Sequence, residues 1–116
     1  MTAQEIQTAI IKQFHDKDLC MPNFYHGLWE CDVFRLQPNG YIIEYEVKVS
    51  KSDFLADFKK KRSGIEKHKQ IEKGGRCNRF YFVAPQGLVT VEDIPPYCGL
   101  IVYEGGELKT LKRAKL

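Results

Sequence analysis

The sequence predicts an α/β fold, in which a helix is followed by two or three strands, a second helix and a further strand. The chain has 116 residues, of which 43% are hydrophobic and 28% are charged, as in an ordinary globular protein. This length is typical of one domain, and no repeat or low-complexity tract divides the chain. We therefore expect residues 1–116 to form a single domain.

The first predicted element is a helix of about a dozen residues. Thr2 and Glu5 have the spacing of a capping box, a pair of side chains that closes the start of a helix. Apolar side chains then recur at helical spacing, at Ile6, Ala9, Ile10 and Phe14. Residues 20–27 are predicted to form a loop, because Pro22 and Asn23 disfavour regular structure.

Two strands are predicted next, over residues 29–36 and 41–49, with a turn signal between them that ends in Gly40. If residues 38–40 form a three-residue loop with Gly40 in the left-handed conformation, Gln37 pairs with Tyr41. This pairing fixes the register of the two strands.

The second half of the chain begins with a helix. Ser50 and Asp53 have the spacing of a helix cap, and Gly64 ends or interrupts the helix that follows. A further helical stretch is predicted over residues 65–73, ending at Gly74.

Four extended segments complete the chain. They cover residues 79–84, 88–91, 100–103 and 107–111. Gly105 and Gly106 separate the last two and predict a hairpin turn. We expect this C-terminal β-hairpin to be an addition to the core of the fold.

Two carboxylates and a lysine are predicted to meet on the first pair of strands. In the register set by the turn, Asp32 lies directly opposite Glu46, with β-carbons about 5 Å apart. Glu46 and Lys48 share one face of their strand, about 7 Å apart. Two like charges this close destabilise a sheet, so a cation is expected between them. A divalent metal ion is the natural candidate.

The same face carries two more acidic residues, Glu30 and Glu44. A solvent-exposed face would also be polar, which is the alternative interpretation, but acidic residues are depleted in ordinary strands. The pattern therefore favours a functional site. For Lys48 the alternative is a cross-strand ion pair with Glu30, which would add little stability on an exposed sheet.

Three runs of residues extend this pattern along the chain. They are Asp32-Val33, Glu46-Val47-Lys48-Val49-Ser50-Lys51-Ser52-Asp53-Phe54 and Asn78-Arg79-Phe80-Tyr81-Phe82-Val83-Ala84-Pro85. Together they resemble the PD-(D/E)xK nuclease superfamily, which has the restriction-endonuclease-like fold, and are most similar to the MmcB-like DNA repair proteins and related small phage and bacterial proteins. The resemblance extends over roughly residues 1–113. It departs from the motif at Cys31, where the superfamily has a proline.

The resemblance implies a central mixed sheet flanked by helices, a bound magnesium ion that manganese can replace, and hydrolysis of phosphodiester bonds. Asp32, Glu46 and the backbone carbonyl of Val47 would bind the metal. Lys48 would hold or help to deprotonate the attacking water and would stabilise the charge that develops on the phosphate.

Two other carboxylates could belong to this site. Glu5 matches the position at which some relatives have a fourth acidic ligand, although the capping box explains it equally well. Glu44 is either a supporting carboxylate or simply solvated. Removing Asp32 or Glu46 could raise the thermal stability of the metal-free protein by relieving the repulsion between them.

Positive charge is concentrated in one segment. Residues 59–79 carry nine basic and two acidic side chains, a net charge of +7, whereas the whole chain has a net charge of +3. A basic block beside paired carboxylates suits a protein that binds a phosphate backbone, and a solvated helix face is the alternative. The residues expected to contact nucleic acid are Lys51, Lys59, Lys60, Lys67, His68 and Lys69.

These features predict a magnesium-dependent nuclease that acts on DNA, in repair or in the processing of phage or mobile-element DNA. The alternatives are an RNA-processing nuclease and a non-catalytic nucleic-acid-binding module that keeps the nuclease fold. A lone domain of this size would cut one strand at a time, so double-strand cleavage would need a homodimer. The apolar runs are too short to span a membrane, the start of the chain is unlike a signal peptide, and the four dispersed cysteines suit reduced thiols. We expect a cytoplasmic protein.

Overall fold

A mixed β-sheet forms the centre of the structure, a computed structural model that describes residues 2–26, 29–59, 71–72 and 77–116. Within these residues, six strands lie in chain order across the sheet. Their bounds are β1 Leu19–His26, β2 Trp29–Leu36, β3 Ile42–Val47, β4 Arg79–Pro85, β5 Gly99–Glu104 and β6 Glu107–Lys112. The pairs β1–β2, β2–β3 and β5–β6 are antiparallel, whereas β3–β4 and β4–β5 are parallel.

Helices cover both faces of this sheet. Helix α1 (Ala3–Phe14) packs Ile6 and Ile10 against one face. Helix α2 (Lys51–Lys59) packs Phe54 against the other. Because side chains alternate along a strand, β3 and β4 supply both cores, with Tyr45 and Tyr81 on the α1 face. The predicted α/β class with a mixed sheet flanked by helices is confirmed.

The start of α1 confirms the predicted cap. The Thr2 hydroxyl accepts a hydrogen bond from the backbone N–H of Glu5, with a nitrogen–oxygen distance of 3.2 Å. This bond satisfies one of the donors that a helix start leaves without a partner in the helix. The helix then runs for 12 residues.

The loop predicted over residues 20–27 is wrong, because the chain there forms the edge strand β1. Pro22 and Asn23 misled the prediction. An edge strand needs hydrogen bonds on one side only, so it tolerates a proline that has no N–H. Asn23 adopts a positive φ of 50°, and β1 pairs with β2 on both sides of it, at Pro22–Val33 and Phe24–Cys31.

The turn between β2 and β3 confirms the predicted register. Gln37 donates its N–H to the carbonyl of Tyr41 at 2.9 Å, and Gly40 donates to the carbonyl of Gln37 at the same distance. Gly40 has a φ of +87°, a conformation that glycine adopts without strain. Val33 consequently pairs with Tyr45, in the register that was predicted to bring Asp32 opposite Glu46.

The start of α2 also agrees with its sequence signal. The Ser50 hydroxyl accepts the N–H of Asp53 at 3.1 Å, and the Ser50 carbonyl accepts the N–H of Phe54 at 3.1 Å. The predicted helix end at Gly64 lies outside the described residues, as does most of the helical stretch predicted over residues 65–73. Of that stretch, residues 71–72 are described and are helical.

In the C-terminal part of the chain, one predicted strand is confirmed, one predicted segment is wrong, and the predicted hairpin has an unexpected place in the sheet. The strand predicted over residues 79–84 is confirmed as β4. The extended segment predicted over residues 88–91 is wrong, because a turn and a short 3₁₀ helix, Val91–Asp93, occupy this part of the chain. The hairpin at Gly105 and Gly106 is confirmed, with φ values of 59° and 85°. It is not an appendage, because β5 pairs in parallel with β4 inside the sheet.

No helix in the described part of the chain combines the length and the apolar character that crossing a membrane requires.

Candidate active site

Asp32 lies where the backbone pairing of β2 with β3 stops. Within the described residues, that pairing runs from Leu36–Ile42 to Val33–Tyr45. Beyond it, Oδ2 of Asp32 accepts a hydrogen bond from the backbone N–H of Val47 at 2.7 Å. A side-chain carboxylate therefore bonds to β3 where a backbone carbonyl would otherwise do so. A charge-assisted bond of this length is among the stronger hydrogen bonds in proteins.

Glu46 and Lys48 stand on either side of Val47 and form an ion pair. Nζ of Lys48 lies 3.3 Å from Oε2 of Glu46, and each of the two side chains is only 12% exposed. A pair with so little water around it is screened less than a surface pair. The carboxylate also favours the charged form of the lysine. Lys48 therefore places a positive charge beside Glu46, and the divalent metal ion expected between Asp32 and Glu46 stays a prediction.

The acidic face of β3 is buried rather than solvated. Glu44 has no exposed surface and Glu46 is 9% exposed, and in the parallel pairing with β4 they lie opposite Phe80 and Phe82. The interpretation of these two carboxylates as part of an ordinary solvent-exposed face is therefore wrong for both. Burying a charge is costly unless the charge is paired, and Lys48 is the charged partner of Glu46.

Helix α1 holds the backbone of Asp32 through a residue that sequence reasoning missed. The side-chain amide of Gln7 donates to the carbonyl oxygen of Asp32 at 2.9 Å and to Oδ1 of Asn23 at 2.9 Å. Gln7 thereby ties α1 to β1 and β2 beside Asn23, whose φ of 50° departs from extended geometry. Nothing local in the sequence marks Gln7, because its partners lie 16 and 25 residues away.

The donor set suits a hard cation. Magnesium prefers oxygen ligands, keeps several waters and commonly uses one or two carboxylates. In the described ranges, no group of three or more His, Cys, Asp or Glu side chains is arranged to hold a metal ion. A magnesium ion here would therefore depend on Asp32 and Glu46, together with backbone oxygen and water.

The other predicted acidic ligand, Glu5, has a structural role at the start of α1. Its backbone N–H donates to the Thr2 hydroxyl, and its Oε1 lies 3.4 Å from the same hydroxyl oxygen. The side chain lines a groove with Tyr103 and Leu108, between α1 and the C-terminal hairpin. These contacts favour the capping interpretation of Glu5.

Of the residues predicted to contact nucleic acid, Lys51 is the one whose side chain the structure describes. Its Nζ lies 3.1 Å from Oδ2 of Asp93 and 3.3 Å from the carbonyl oxygen of Leu88, so it joins the start of α2 to the 3₁₀ turn. The hydrogen bond from the Thr90 N–H lowers the pKa of the Asp93 carboxyl, and Lys51 lowers it further. Lys59 ends α2, and the side chain of Lys59 together with Lys60, Lys67, His68 and Lys69 lies outside the described part of the chain.

Comparison with known proteins supports the fold. No protein-family model matches the sequence, and no curated protein matches it significantly. The structure is similar to that of the SPO1766 protein of unknown function from Silicibacter pomeroyi. That similarity has a TM-score of 0.75 and 20% sequence identity, and it covers 98% of this chain and 72% of the other.

A more remote similarity is to the crystal structure of a repair endonuclease from Pyrococcus abyssi. It has a TM-score of 0.48 and 20% identity, and it covers 91% of this chain and 41% of that one. Since both identities are low, the first similarity supports a shared fold alone, and the second is too distant to support a conclusion.

Proposed function

We propose that the chain is a metal-dependent nuclease of the PD-(D/E)xK type, which hydrolyses phosphodiester bonds in DNA. The observation that carries the proposal is the bond from the Val47 N–H to the Asp32 carboxylate. Val47 separates Glu46 from Lys48, so this bond brings the carboxylate of β2 to the Glu-x-Lys segment. The strand predicted over residues 41–49 is shorter in the structure, so Glu46 and Val47 end β3 and Lys48 directly follows it. The sequence resembles DNA repair proteins and related small phage and bacterial proteins. This resemblance suggests that the chain acts in DNA repair or in the processing of phage or mobile-element DNA.

Asp32 and Glu46 would hold a magnesium ion, and the backbone carbonyl of Val47 would complete the protein ligands. When bound, such an ion polarises a phosphoryl oxygen and makes water a better nucleophile near neutral pH. The carboxylates are preorganised for this role, because Asp32 is fixed by the Val47 N–H and by Gln7, and Glu46 by Lys48.

Lys48 would act on the phosphate rather than on the metal. In the reaction, a water oxygen forms a bond to phosphorus and gives up its proton to solvent, while the bond from phosphorus to the leaving oxygen breaks and the leaving oxygen takes up a proton from solvent. Negative charge grows on the phosphate as this happens. Nζ of Lys48 lies 3.3 Å from the Glu46 carboxylate, and this ion pair suits charge stabilisation rather than proton abstraction as the contribution of Lys48. A preorganised cation in a site with little water is worth far more than one in water.

A cleavage assay tests the proposal. Plasmid, single-stranded and branched DNA, and a single-stranded RNA, are incubated with wild type in magnesium, in manganese and in chelator. We expect cleavage of DNA that needs the metal, and we expect Glu46→Gln to abolish it because the substitution removes a ligand charge. Glu92→Gln is the matched control, since Glu92 is exposed in the 3₁₀ turn.

The same assay separates the alternatives. Cleavage restricted to RNA would identify an RNA-processing nuclease. Binding of DNA without metal-dependent cleavage of any substrate would support the non-catalytic module instead. Equal activity of Glu46→Gln and wild type would refute the assignment of the site.

A further inference from the structure

A cationic groove opens on the face of the sheet opposite Glu46. Strand neighbours point to opposite faces, so Tyr45 lies on the α1 face while Glu46 lies on the α2 face. The groove has a volume of about 380 Å³, which is within the usual range of small-molecule sites. Six of its lining residues carry the argument: Arg35, Arg79, Arg113, Tyr41, Tyr45 and Tyr81.

The floor of the groove is a rigid stack of aromatic rings. The ring of Tyr45 stacks against Phe14 of α1 at a centroid distance of 6.1 Å and against Tyr81 of β4 at 5.7 Å. The guanidinium of Arg35 lies over the Phe14 ring at 3.7 Å and donates to the Tyr45 hydroxyl at 2.9 Å. These contacts hold the floor in one arrangement without a ligand, which reduces the entropy lost on binding.

The floor contributes no negative charge of its own. Burial raises the pKa of Tyr45 to about 12, although the hydrogen bond from Arg35 opposes this rise. Tyr45 is therefore a neutral phenol at physiological pH. Asp18 forms an ion pair with Arg35 and offsets the charge of that arginine alone.

Two other arginines leave the groove positive. Arg79 donates to the backbone carbonyl of Ala114 at 2.7 Å, a neutral acceptor that does not offset the guanidinium charge. Arg113 is exposed beyond the end of β6. No carboxylate belongs to the lining formed by the described residues. Guanidinium groups bind phosphate oxygens through paired hydrogen bonds, so this charge favours a phosphate over a simple halide.

The remaining feature is an aromatic ring that is open to solvent. Tyr41 is 38% exposed, whereas Tyr45 and Tyr81 are buried. It directly follows the turn at Gly40 and lines the groove. A planar base can stack on such a ring, and a ligand that combines a phosphate with a base would match both parts of the site.

We infer that this groove binds a nucleotide, with its phosphate between Arg79 and Arg113 and its base on Tyr41. The nucleotide has two possible sources, a free mononucleotide or the phosphorylated end of a single strand. The groove is separate from Asp32, Glu46 and Lys48, and the inference does not depend on the proposed nuclease activity.

Titration of the isotope-labelled protein, followed by amide chemical shifts, tests this inference. The probes are inorganic phosphate, AMP, and a hexathymidylate with and without a 5′-phosphate. We expect AMP to shift the amides of Tyr41, Arg79 and Arg113. Arg113→Gln should weaken AMP binding about tenfold, the effect of losing one charge-assisted hydrogen bond. Lys109→Gln is the matched control, because Lys109 is exposed on β6 and outside the groove lining.

A second variant tests the base contact. Tyr41→Ala keeps the backbone bonds of the turn, and it should weaken AMP about tenfold while leaving the weaker binding of inorganic phosphate unchanged. Tighter binding of the 5′-phosphorylated strand than of AMP would assign the groove to strand ends, and the reverse would assign it to free nucleotides.

Four results would overturn the inference. The first is the absence of AMP and strand binding at this face. The second is equal AMP affinity of Arg113→Gln and Lys109→Gln. The third is phosphate binding as tight as AMP binding, and the fourth is AMP binding that is insensitive to Tyr41→Ala, since either would show that the base makes no contact in the groove.

Discussion

Asp32 combines a structural role with its proposed catalytic one. Its carboxylate accepts the Val47 N–H at 2.7 Å, where β2 and β3 no longer pair through their backbones. Charge repulsion alone suggested that removing this carboxylate could stabilise the metal-free protein. The structure gives the opposite expectation, because the substitution would leave a partly buried donor unsatisfied, which is costly.

We predict that Asp32→Ala lowers the free energy of unfolding by about 1–3 kcal/mol without metal. Asp32→Asn should lose less, because its amide oxygen can still accept the Val47 N–H, although without the added strength of a charge. Urea unfolding monitored by circular dichroism measures both. The control is Asp16→Ala, whose side chain is 81% exposed and should change stability by no more than about 0.5 kcal/mol.

Magnesium should separate the two roles of Asp32. A ligand that binds only the folded protein raises its stability in proportion to the logarithm of its concentration above Kd. Wild type should therefore gain stability as magnesium is added, whereas Asp32→Asn should not. An equal gain in both proteins would show that Asp32 is not a ligand, and a more stable Asp32→Ala would refute its structural role.

Tyr45 is predicted to control the alkaline limit of stability. Its pKa is about 12 in the folded protein, compared with about 10 when exposed. The folded state therefore holds the proton more tightly. The resulting stabilisation is complete below about pH 10 and is lost as pH rises towards 12.

Denaturation midpoints measured from pH 8 to pH 12 test this prediction. The quantity to compare is the slope of the midpoint against pH, rather than the absolute stability. Tyr45→Phe should have a shallower decline between pH 10 and pH 12, because it removes the late-titrating group. Tyr25 is 68% exposed, so Tyr25→Phe should follow the wild-type curve. Coincident slopes for Tyr45→Phe and wild type would contradict the assignment.

At the scale of elements, α1 positions β2 through one side chain. Gln7 uses its amide N–H groups on the Asp32 carbonyl and the Asn23 side chain, and this fixes a strand where its own ladder is interrupted. We predict that Gln7→Ala lowers the free energy of unfolding by roughly 1–2 kcal/mol and weakens magnesium binding, because the Asp32 backbone is no longer held.

Two variants make the test of Gln7 specific. Gln7→Glu should be worse than Gln7→Ala, because a carboxylate would face two acceptor oxygens. Gln13→Ala removes an exposed glutamine from the same helix and serves as the control. If Gln7→Ala matched Gln13→Ala in both stability and magnesium affinity, α1 would have no part in positioning Asp32.

Sequence signals gave a correct prediction wherever the structure depends on only a few neighbouring residues. The three-residue turn before Gly40 fixes a register within its own residues, so the sequence was sufficient. The caps at Thr2 and Ser50 act over three residues and were equally readable. The strand β1 was missed because its pairing with β2 outweighs the local preferences of Pro22 and Asn23.

At the scale of the molecule, the sequence could predict the pair of strands that carries Asp32 and Glu46, with Lys48 directly after the second strand, because strand alternation and one turn determine this arrangement. It could not predict that Glu44 and Glu46 would be buried. Their burial depends on β4, which lies beside β3 in a parallel register that is set by packing. For the same reason, the sequence could not predict that β5 lies inside the sheet, beside β4.

The two faces of the sheet are chemically different. The α2 face carries buried carboxylates and a lysine, whereas the α1 face carries arginines over stacked aromatic rings. The first suits a cation and the chemistry proposed for it, and the second suits an anion. This division follows from the alternation of side chains along β3, in which Tyr45 stands between Glu44 and Glu46.

The proposed nuclease site is tested by the rate of magnesium-dependent DNA cleavage by Lys48→Met, compared with that of wild type. Urea unfolding and magnesium titration would first establish that the variant is folded and binds the metal. Lys12→Met, at an exposed position of α1, is the control. We predict metal-dependent cleavage by wild type and by Lys12→Met, and a loss of about 10²-fold or more in Lys48→Met, as for other preorganised groups that stabilise a transition state. Cleavage by Lys48→Met at the wild-type rate, or no metal-dependent cleavage by wild type, would refute the proposed nuclease site.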